Sequence, residues 1–280
     1  MIEKKISFFW GNPGMSWLRY MTLKSFRKYH PGWEMNLYTD RIDRTYGLPP
    51  WTTNHRQDFF NYTGKDNFLS NVKKLDVNII EWKDSVKHIK KIAPSQKSNF
   101  FKWKLLAEEG GFYSDMDVLY FSSIDDLRDD INDSDCDTAI THNGKFFSIG
   151  FMASSGNNAV FKGIYDNCVE VFNKGHYQGA GVWSIYRKWG RTDKNKSLIE
   201  LQDDFPDNNI FIILMDDFYL LNKLPDIYEQ DRSGKLLEVG KALHWYAGGE
   251  LAQEYNNFVK KTNYSTRKNT ISEILKYIEA

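Results

Sequence analysis

Asp115 and Asp117 are two carboxylates separated by a single residue. They lie in Phe112-Tyr113-Ser114-Asp115-Met116-Asp117-Val118-Leu119-Tyr120-Phe121, which reads as a β-strand entered through Gly110-Gly111. A strand alternates its faces with period 2, so both aspartates are expected on one face, beside a glycine turn. Two unit charges roughly 4–5 Å apart repel by about 3 to 4 kcal/mol at an effective dielectric near 20. A hard divalent cation removes that repulsion and takes oxygen ligands. With positions left open, it would be completed by a diphosphate, whose charge it neutralises on departure. An isolated D-x-D is more often a pair of solvent-facing aspartates on an edge strand, so its surroundings must decide. His244 is a candidate third ligand, against the plainer role of a satisfied hydrogen-bonding histidine. The remaining histidines, His30, His55, His88, His142 and His176, have no ligand spacing, and no nucleophilic Ser or Cys motif is present.

The elements around the pair follow from periodicity and breakers. Ile6 to Trp10 reads as a buried strand ended by Gly11-Asn12-Pro13-Gly14, with a helix over Met15 to His30 stopped by Pro31-Gly32 and a second strand over Trp33 to Tyr38. Strand, helix, strand at this length predicts a right-handed βαβ unit with parallel strands. Trp10 then stands at the carboxyl end of the first strand, where open parallel sheets bind ligands; core packing is its plainer role. Residues 41–80 are polar and aperiodic, and short helices and loops outside the sheet are expected. Ser95 to Glu109 is a predicted helix with serines available as N-caps, ended by Gly110-Gly111. Further strands are expected at Thr138 to Ile140, Phe147 to Ala153 and Asn209 to Met215, and a helix over Val160 to Phe172. Thr270 and Glu273 form a capping box for a last helix whose one face is Ile271, Ile274, Leu275 and Ile278.

Composition narrows the partners. The 280 residues carry 37 Lys plus Arg and 37 Asp plus Glu, a net charge of zero that lacks the positive excess a nucleic-acid backbone demands. Hydrophobic residues make up 41% and charged residues 26%, as in soluble globular proteins, while the 16% aromatic content is high enough to supply flat faces for bases or sugars as well as core. No apolar run approaches the roughly 20 residues of a membrane span, and none resembles a signal peptide. Cys136 and Cys168 are too few for a disulfide framework, and reduced thiols in a cytoplasmic protein are expected.

Ser98-Asn99-Phe100-Phe101-Lys102, then Gly110-Gly111-Phe112-Tyr113 and Asp115-Met116-Asp117, resemble the DXD-motif glycosyltransferases. That family includes capsular-polysaccharide sugar transferases, the yeast α-1,6-mannosyltransferase and, distantly, the catalytic domains of clostridial glucosylating toxins. The family pattern is S-D-x-x-R on a helix, a G-G-x-Y turn and D-x-D, and the spacing is kept here. Phe8-Phe9-Trp10-Gly11 and His244-Trp245 are similar to the family's opening and closing motifs. The resemblance implies a GT-A-like, Rossmann-type α/β/α sandwich with a mostly parallel central sheet. It implies one domain over 1–280, with 41–92 a partly irregular helical insertion and 250–280 a helical tail. By the same resemblance Asp117 and Asp115, with His244, hold Mn²⁺ or Mg²⁺. Phe9, Trp10, Ser98, Asn99, Lys102, Tyr113, Asp115 and Trp245 then bind the nucleotide sugar, with Asp115 and Asp117 catalytic.

Asn99 stands where the family has Asp, and Lys102 where it has Arg: the amide still hydrogen-bonds a hydroxyl, and the charge stays while the bidentate guanidinium geometry goes. The implied reaction moves a sugar from a nucleoside diphosphate, UDP favoured, to a hydroxyl of a glycan, protein or small molecule, with retention, as in polysaccharide biosynthesis. Gly179-Ala180-Gly181 and Ser148 to Ser155 fall where the family has acceptor-side and pocket-wall segments. Two other readings stand beside it. One is a non-catalytic nucleotide-sugar or carbohydrate-binding module. The other is a haloacid-dehalogenase-like phosphatase, which Asp115-Met116-Asp117-Val118 resembles without that class's later Gly-Asp motif.

Overall fold

A computed structural model describes residues 1–11, 14–39, 51–52, 58–59, 67–83, 92, 94–172, 178–219 and 226–280. Its central sheet runs β10-β8-β9-β6-β1-β2-β5. These strands are β1 (Lys5–Trp10), β2 (Glu34–Thr39), β5 (Asn78–Glu81), β6 (Gly111–Ser114), β8 (Thr138–His142), β9 (Phe147–Ser154) and β10 (Ile210–Leu214). β3 (Trp51–Thr52) and β4 (Asp58–Phe59) pair only with each other, and β7 (Val118–Tyr120) pairs antiparallel with β11 (Ala242–His244). β9 runs against both its neighbours, while β1, β2, β5 and β6 are mutually parallel, as are β8 and β10.

Alternation along β1 shows why helices cover both faces. Ile6, Phe8 and Trp10 enter one apolar cluster with Leu23 and Phe26 of α1 (Trp17–Tyr29), whereas Phe9 enters another with Phe101, Leu105 and Leu106. α2 (Leu69–Val72) is a single short turn, and α3 (Pro94–Glu108) supplies the second cluster with α5 (Ala159–Val171) and α6 (Val182–Lys188). α4 (Asp125–Asp133) packs Ile131 on the first face. This is the expected α/β/α sandwich with a mostly parallel sheet. α7 (Ser197–Asp204), α8 (Met215–Phe218), α9 (Asp226–Glu229), α10 (Ser233–Val239) and α11 (Glu250–Phe258) follow, and α12 (Thr270–Glu279) buries Ile271, Ile274, Leu275 and Ile278 in a third cluster with Trp17 and Trp245.

Four expectations need correction. The D-x-D strand is broken: β6 ends at Ser114, Met116 and Asp117 form a turn, and β7 joins the other sheet. Met116 drops into the core at 4% exposure, and that inward turn carries the chain from one sheet to the next. In the 41–92 segment, of which most lies outside the described residues, Asn78–Glu81 is a strand on the edge of the main sheet; only two apolar residues and an exposed Ile79 made it look like loop. α3 begins at Pro94, ahead of the serines, as suits proline's missing N–H in a first turn. The N-cap of α12 is Asn269, whose side chain accepts from Ser272 N at 3.0 Å; Thr270 Oγ1 instead donates to Gln230 O at 2.7 Å.

Candidate active site

The sheet switch at Met116 sets the two aspartates. Asp115 is anchored by its N–H on Gly150 O (2.8 Å), and Asp117 O accepts from Trp245 N (2.9 Å). Gly110, at φ +70°, immediately precedes β6; a methyl there would stand 2.3 Å from Gly156 N and 2.7 Å from Ser154 O, so only glycine lets the chain enter β6 against this turn.

Asp115 Oδ1 is fully engaged. It accepts from Lys102 Nζ at 2.9 Å and from the Tyr113 hydroxyl at 2.7 Å, and Ser98 Oγ lies 2.7 Å from that hydroxyl. Tyr113 spends its one proton on Asp115, so Ser98 donates to Tyr113. Burial, reinforced by Asp115, pushes the Tyr113 phenol well above its ordinary pKa, so it remains a donor. Lys102, 1% exposed, also donates to Ile149 O at 2.9 Å and lies 4.6 Å from the centre of the Tyr113 ring. Its three N–H groups thus have two oxygens and a ring face, and the ammonium is turned to Asp115.

Asp117 is buried. Its Oδ2 accepts from Ala247 N at 2.8 Å, and its Oδ1 stands 3.2 Å from His244 Nε2, at ion-pair distance but without hydrogen-bond alignment. Burial alone would raise the Asp117 carboxyl; the His244 imidazole, the Arg19 charge and the Ala247 amide outweigh it and hold the group well below the usual carboxylate range. Asp117 Oδ1, His244 Nδ1 and the Tyr219 hydroxyl are buried without a hydrogen-bond partner among the described residues. The Tyr219 hydroxyl and the edge of the His244 ring lie with Asp115 around Gly150. A methyl on Gly150 would lie 3.3 Å from Asp115 Oδ2, 3.4 Å from His244 Cε1 and 3.4 Å from the Tyr219 oxygen.

The aromatic expectations fare differently. Phe9, Trp10 and Trp245 are 4%, 6% and 0% exposed, so packing claims all three rings and none offers a face for a base. Phe9 sits 5.2 Å from the Phe101 ring and 5.6 Å from the Trp82 ring. Arg19 lies between the two indoles, 5.4 Å from the Trp10 ring centre and 4.7 Å from that of Trp245. Asn99 is buried, and its Nδ2 would stand 2.9 Å from a methyl on Gly181, so the helix motif does approach the Gly179-Ala180-Gly181 turn. Asp115, Asp117, His244, Tyr113, Ser98 and Lys102 thus come together. Tyr219, Gly150 and Arg19 belong to the same neighbourhood and were missed. Arg19 and Tyr219 sit in no motif, and Gly150 was named only within a pocket-wall segment.

Residues 19–136, which contain this D-x-D turn, match the glycosyltransferase sugar-binding region containing DXD motif. No curated protein matches the chain. Among solved structures it is similar to the PaToxG glycosyltransferase, at 17% identity over 75% of this chain and 81% of that one, with a TM-score of 0.43. It is similar to the glycosyltransferase GlyE of Streptococcus pneumoniae TIGR4 at 10% identity and TM-score 0.49, spanning 61% of that chain with 100% of its own. A third is the galactosyltransferase LgtC in complex with donor and acceptor sugar analogs, at 12% identity, 98% and 94% coverage and TM-score 0.40. Identities and scores this low say nothing of donor, acceptor or chemistry. The match over residues 19–136 shows that this part of the chain is similar to the sugar-binding region of the DXD-motif glycosyltransferases, the family its sequence resembles.

Proposed function

We propose that the chain moves a hexosyl group from a nucleoside diphosphate sugar, preferably a UDP-sugar, to a hydroxyl of a glycan, protein or small-molecule acceptor. The reaction is metal-dependent and retains the anomeric configuration, and the whole of 1–280 acts as one catalytic unit in the cytoplasm. The observation that carries this reading is the grouping around Gly150, where Asp115 Oδ2, the edge of the His244 ring and the buried, unpartnered Tyr219 hydroxyl meet, with the unpartnered Asp117 Oδ1 3.2 Å from His244 Nε2. Buried polar atoms left unpaired cost about 1–3 kcal/mol each, a cost that a bound ligand removes.

Among the described residues no three carboxylate, histidine or cysteine side chains already stand together as a metal site, so the ion is proposed on the Asp117–His244 pair with Asp115 beside it. Asp117 Oδ1 and His244 Nε2 are 3.2 Å apart and not aligned as a hydrogen bond, so an oxygen and a nitrogen that a divalent ion would take as ligands lie side by side. Asp117, Asp115 and His244 would hold Mn²⁺ or Mg²⁺, which supplies the positive charge that a departing diphosphate needs. The remaining roles fall to the chain. Lys102 and Tyr113 fix Asp115 so that Oδ2 alone faces the pocket to accept from donor hydroxyls. Ser98 holds Tyr113, and Asn99 lines the helix side of the donor. Two free cysteines, Cys136 and the buried Cys168, accord with a reducing compartment, and no helix among the described residues is long and apolar enough to cross a membrane.

UDP-glucose, UDP-galactose, UDP-N-acetylglucosamine and GDP-mannose, each with and without Mn²⁺, test the reading. Slow release of free sugar from one donor is expected, dropping at least ~100-fold in Asp117→Asn, together with a rise in Tm when UDP or GDP and Mn²⁺ are both present. A metal that neither tightens nucleotide binding nor raises Tm would overturn it.

A further inference from the structure

Tyr219 follows α8 and is 0% exposed, with its ring 4.7 Å from Phe218 and 5.1 Å from His244. Packing explains the ring. It does not explain the hydroxyl, which is buried and has no hydrogen-bond partner among the described residues. A phenylalanine would fill the same volume without the desolvation cost of about 1–3 kcal/mol. The hydroxyl is also placed beside Asp115: it and Asp115 Oδ2 lie 3.4 and 3.3 Å from where a methyl on Gly150 would stand, closer than a side chain there would tolerate, so the absence of a Cβ is what lets both oxygens face this side of Gly150.

The two atoms differ in what they ask of a ligand. Asp115 Oδ2 is a carboxylate oxygen whose partner Oδ1 is already held by Lys102 and Tyr113, so it only accepts. The Tyr219 phenol has its proton to give. The phenol could also accept, but its buried proton has no acceptor among the described residues, so a group that satisfies that proton and Asp115 Oδ2 together must accept from one and donate to the other. A phosphate oxygen has no proton for Asp115, and a metal ion cannot accept from Tyr219. An alcohol does both. We infer that Tyr219 is a donor-binding residue whose hydroxyl donates to a hydroxyl of the transferred sugar, while that same sugar hydroxyl donates to Asp115 Oδ2. Gly150 keeps the place of that sugar hydroxyl clear. The inference rests on the proposed function, deepening it from a nucleoside diphosphate site to a particular contact with the sugar.

The test compares wild type, Tyr219→Phe and Gly150→Ala by calorimetric titration with Mn²⁺ and either UDP alone or the UDP-sugar that wild type turns over, alongside Tm of the ligand-free proteins. Tyr219→Phe should keep or raise the Tm, because it removes an unpaired buried hydroxyl. It should bind UDP within about 2-fold of wild type and the UDP-sugar at least ~10-fold more weakly, the effect of one lost hydrogen bond to a buried group. Gly150→Ala, whose methyl intrudes on the same space, should show the same selective loss. Equal weakening of UDP and UDP-sugar, or none, overturns the inference and leaves Tyr219 beside an ordered water only. A fall in the Tm of Tyr219→Phe also overturns it, since the hydroxyl would then serve the fold. If wild type binds neither UDP nor GDP with Mn²⁺, the reading of the whole site falls and the inference with it.

Discussion

Lys102 shows how much one side chain's partners matter. At the family's arginine position it was expected against the donor, yet its ammonium is 1% exposed and spent on Asp115, Ile149 O and the Tyr113 ring. The pair is asymmetric, because the Asp115 side chain is 29% exposed and the lysine is not. Removing the carboxylate strands a buried cation, which costs about 3–5 kcal/mol; removing the cation leaves a carboxylate that water can reach, at about 1–2 kcal/mol. Asp115→Ala should therefore unfold at lower urea than Lys102→Met, and the double variant should regain stability relative to Asp115→Ala. Urea midpoints in the opposite order would show that Lys102 is held by something other than Asp115. The residue types and spacing of this motif were legible in the sequence. The direction of the ammonium was not, since it depends on the Ile149 carbonyl, which is contributed by another strand.

Among the elements, the turn from α3 into β6 places the site. Gly110 and Gly111 both have positive φ, at 70° and 84°, and β6 pairs with β9 from Gly111↔Ser154 to Ser114↔Phe151. That register carries Asp115 to the Gly150 carbonyl. Gly110→Ala combines a left-handed backbone with a methyl 2.3 Å from Gly156 N, a backbone atom that cannot swing aside. A loss of at least ~2 kcal/mol is expected in denaturant unfolding, and the proposed metal-dependent nucleotide binding should be lost with it, since β6 must shift against β9. Unchanged stability would mean that the turn tolerates another conformation. The glycine pair was readable as a helix stop. That the D-x-D spans a switch between sheets was not, because Phe112 to Phe121 alternates well enough for one strand and only Met116 packing inward divides it.

For the molecule as a whole, His30 joins α1 to the loop before α4. Its Nδ1 donates to Phe26 O (2.9 Å) and its Nε2 accepts from Ile124 N (2.9 Å), a pattern that requires the neutral ring. Burial lowers its pKa to about 4, against opposing contributions from the Phe26 carbonyl and Asp125 and smaller lowering ones from Arg27 and Lys4. Above pH 6.5 the ring is neutral both folded and unfolded, and no stability depends on it. As pH falls from 6.5 to about 4 the unfolded chain takes up a proton that the folded one refuses, so stability drops, by about 3 kcal/mol in full. Asp125, held down to about 2 chiefly by Lys4, Trp33 and Ser123 against its own burial, loses its contribution only below that window. Urea unfolding at pH 7 and pH 4.5 should show the drop, and His30→Asn should remove most of it. An unchanged pH dependence in the variant would assign it to other groups.

Apolar alternation and breaker residues determined the β-strand and helix order around the site, because a strand or helix that buries one face must write that face into its own residues. The D-x-D motif and its spacing likewise marked the two carboxylates of the turn between β6 and β7. Tertiary structure decided what those carboxylates touch. Tyr219, Gly150 and Arg19 reach the site from the end of α8, from β9 and from α1, and Trp10 and Trp245 are claimed by the core around Arg19. Such contacts join positions far apart in the chain, and no local pattern records which hydroxyl, methyl-free backbone or cation will arrive beside a given carboxylate.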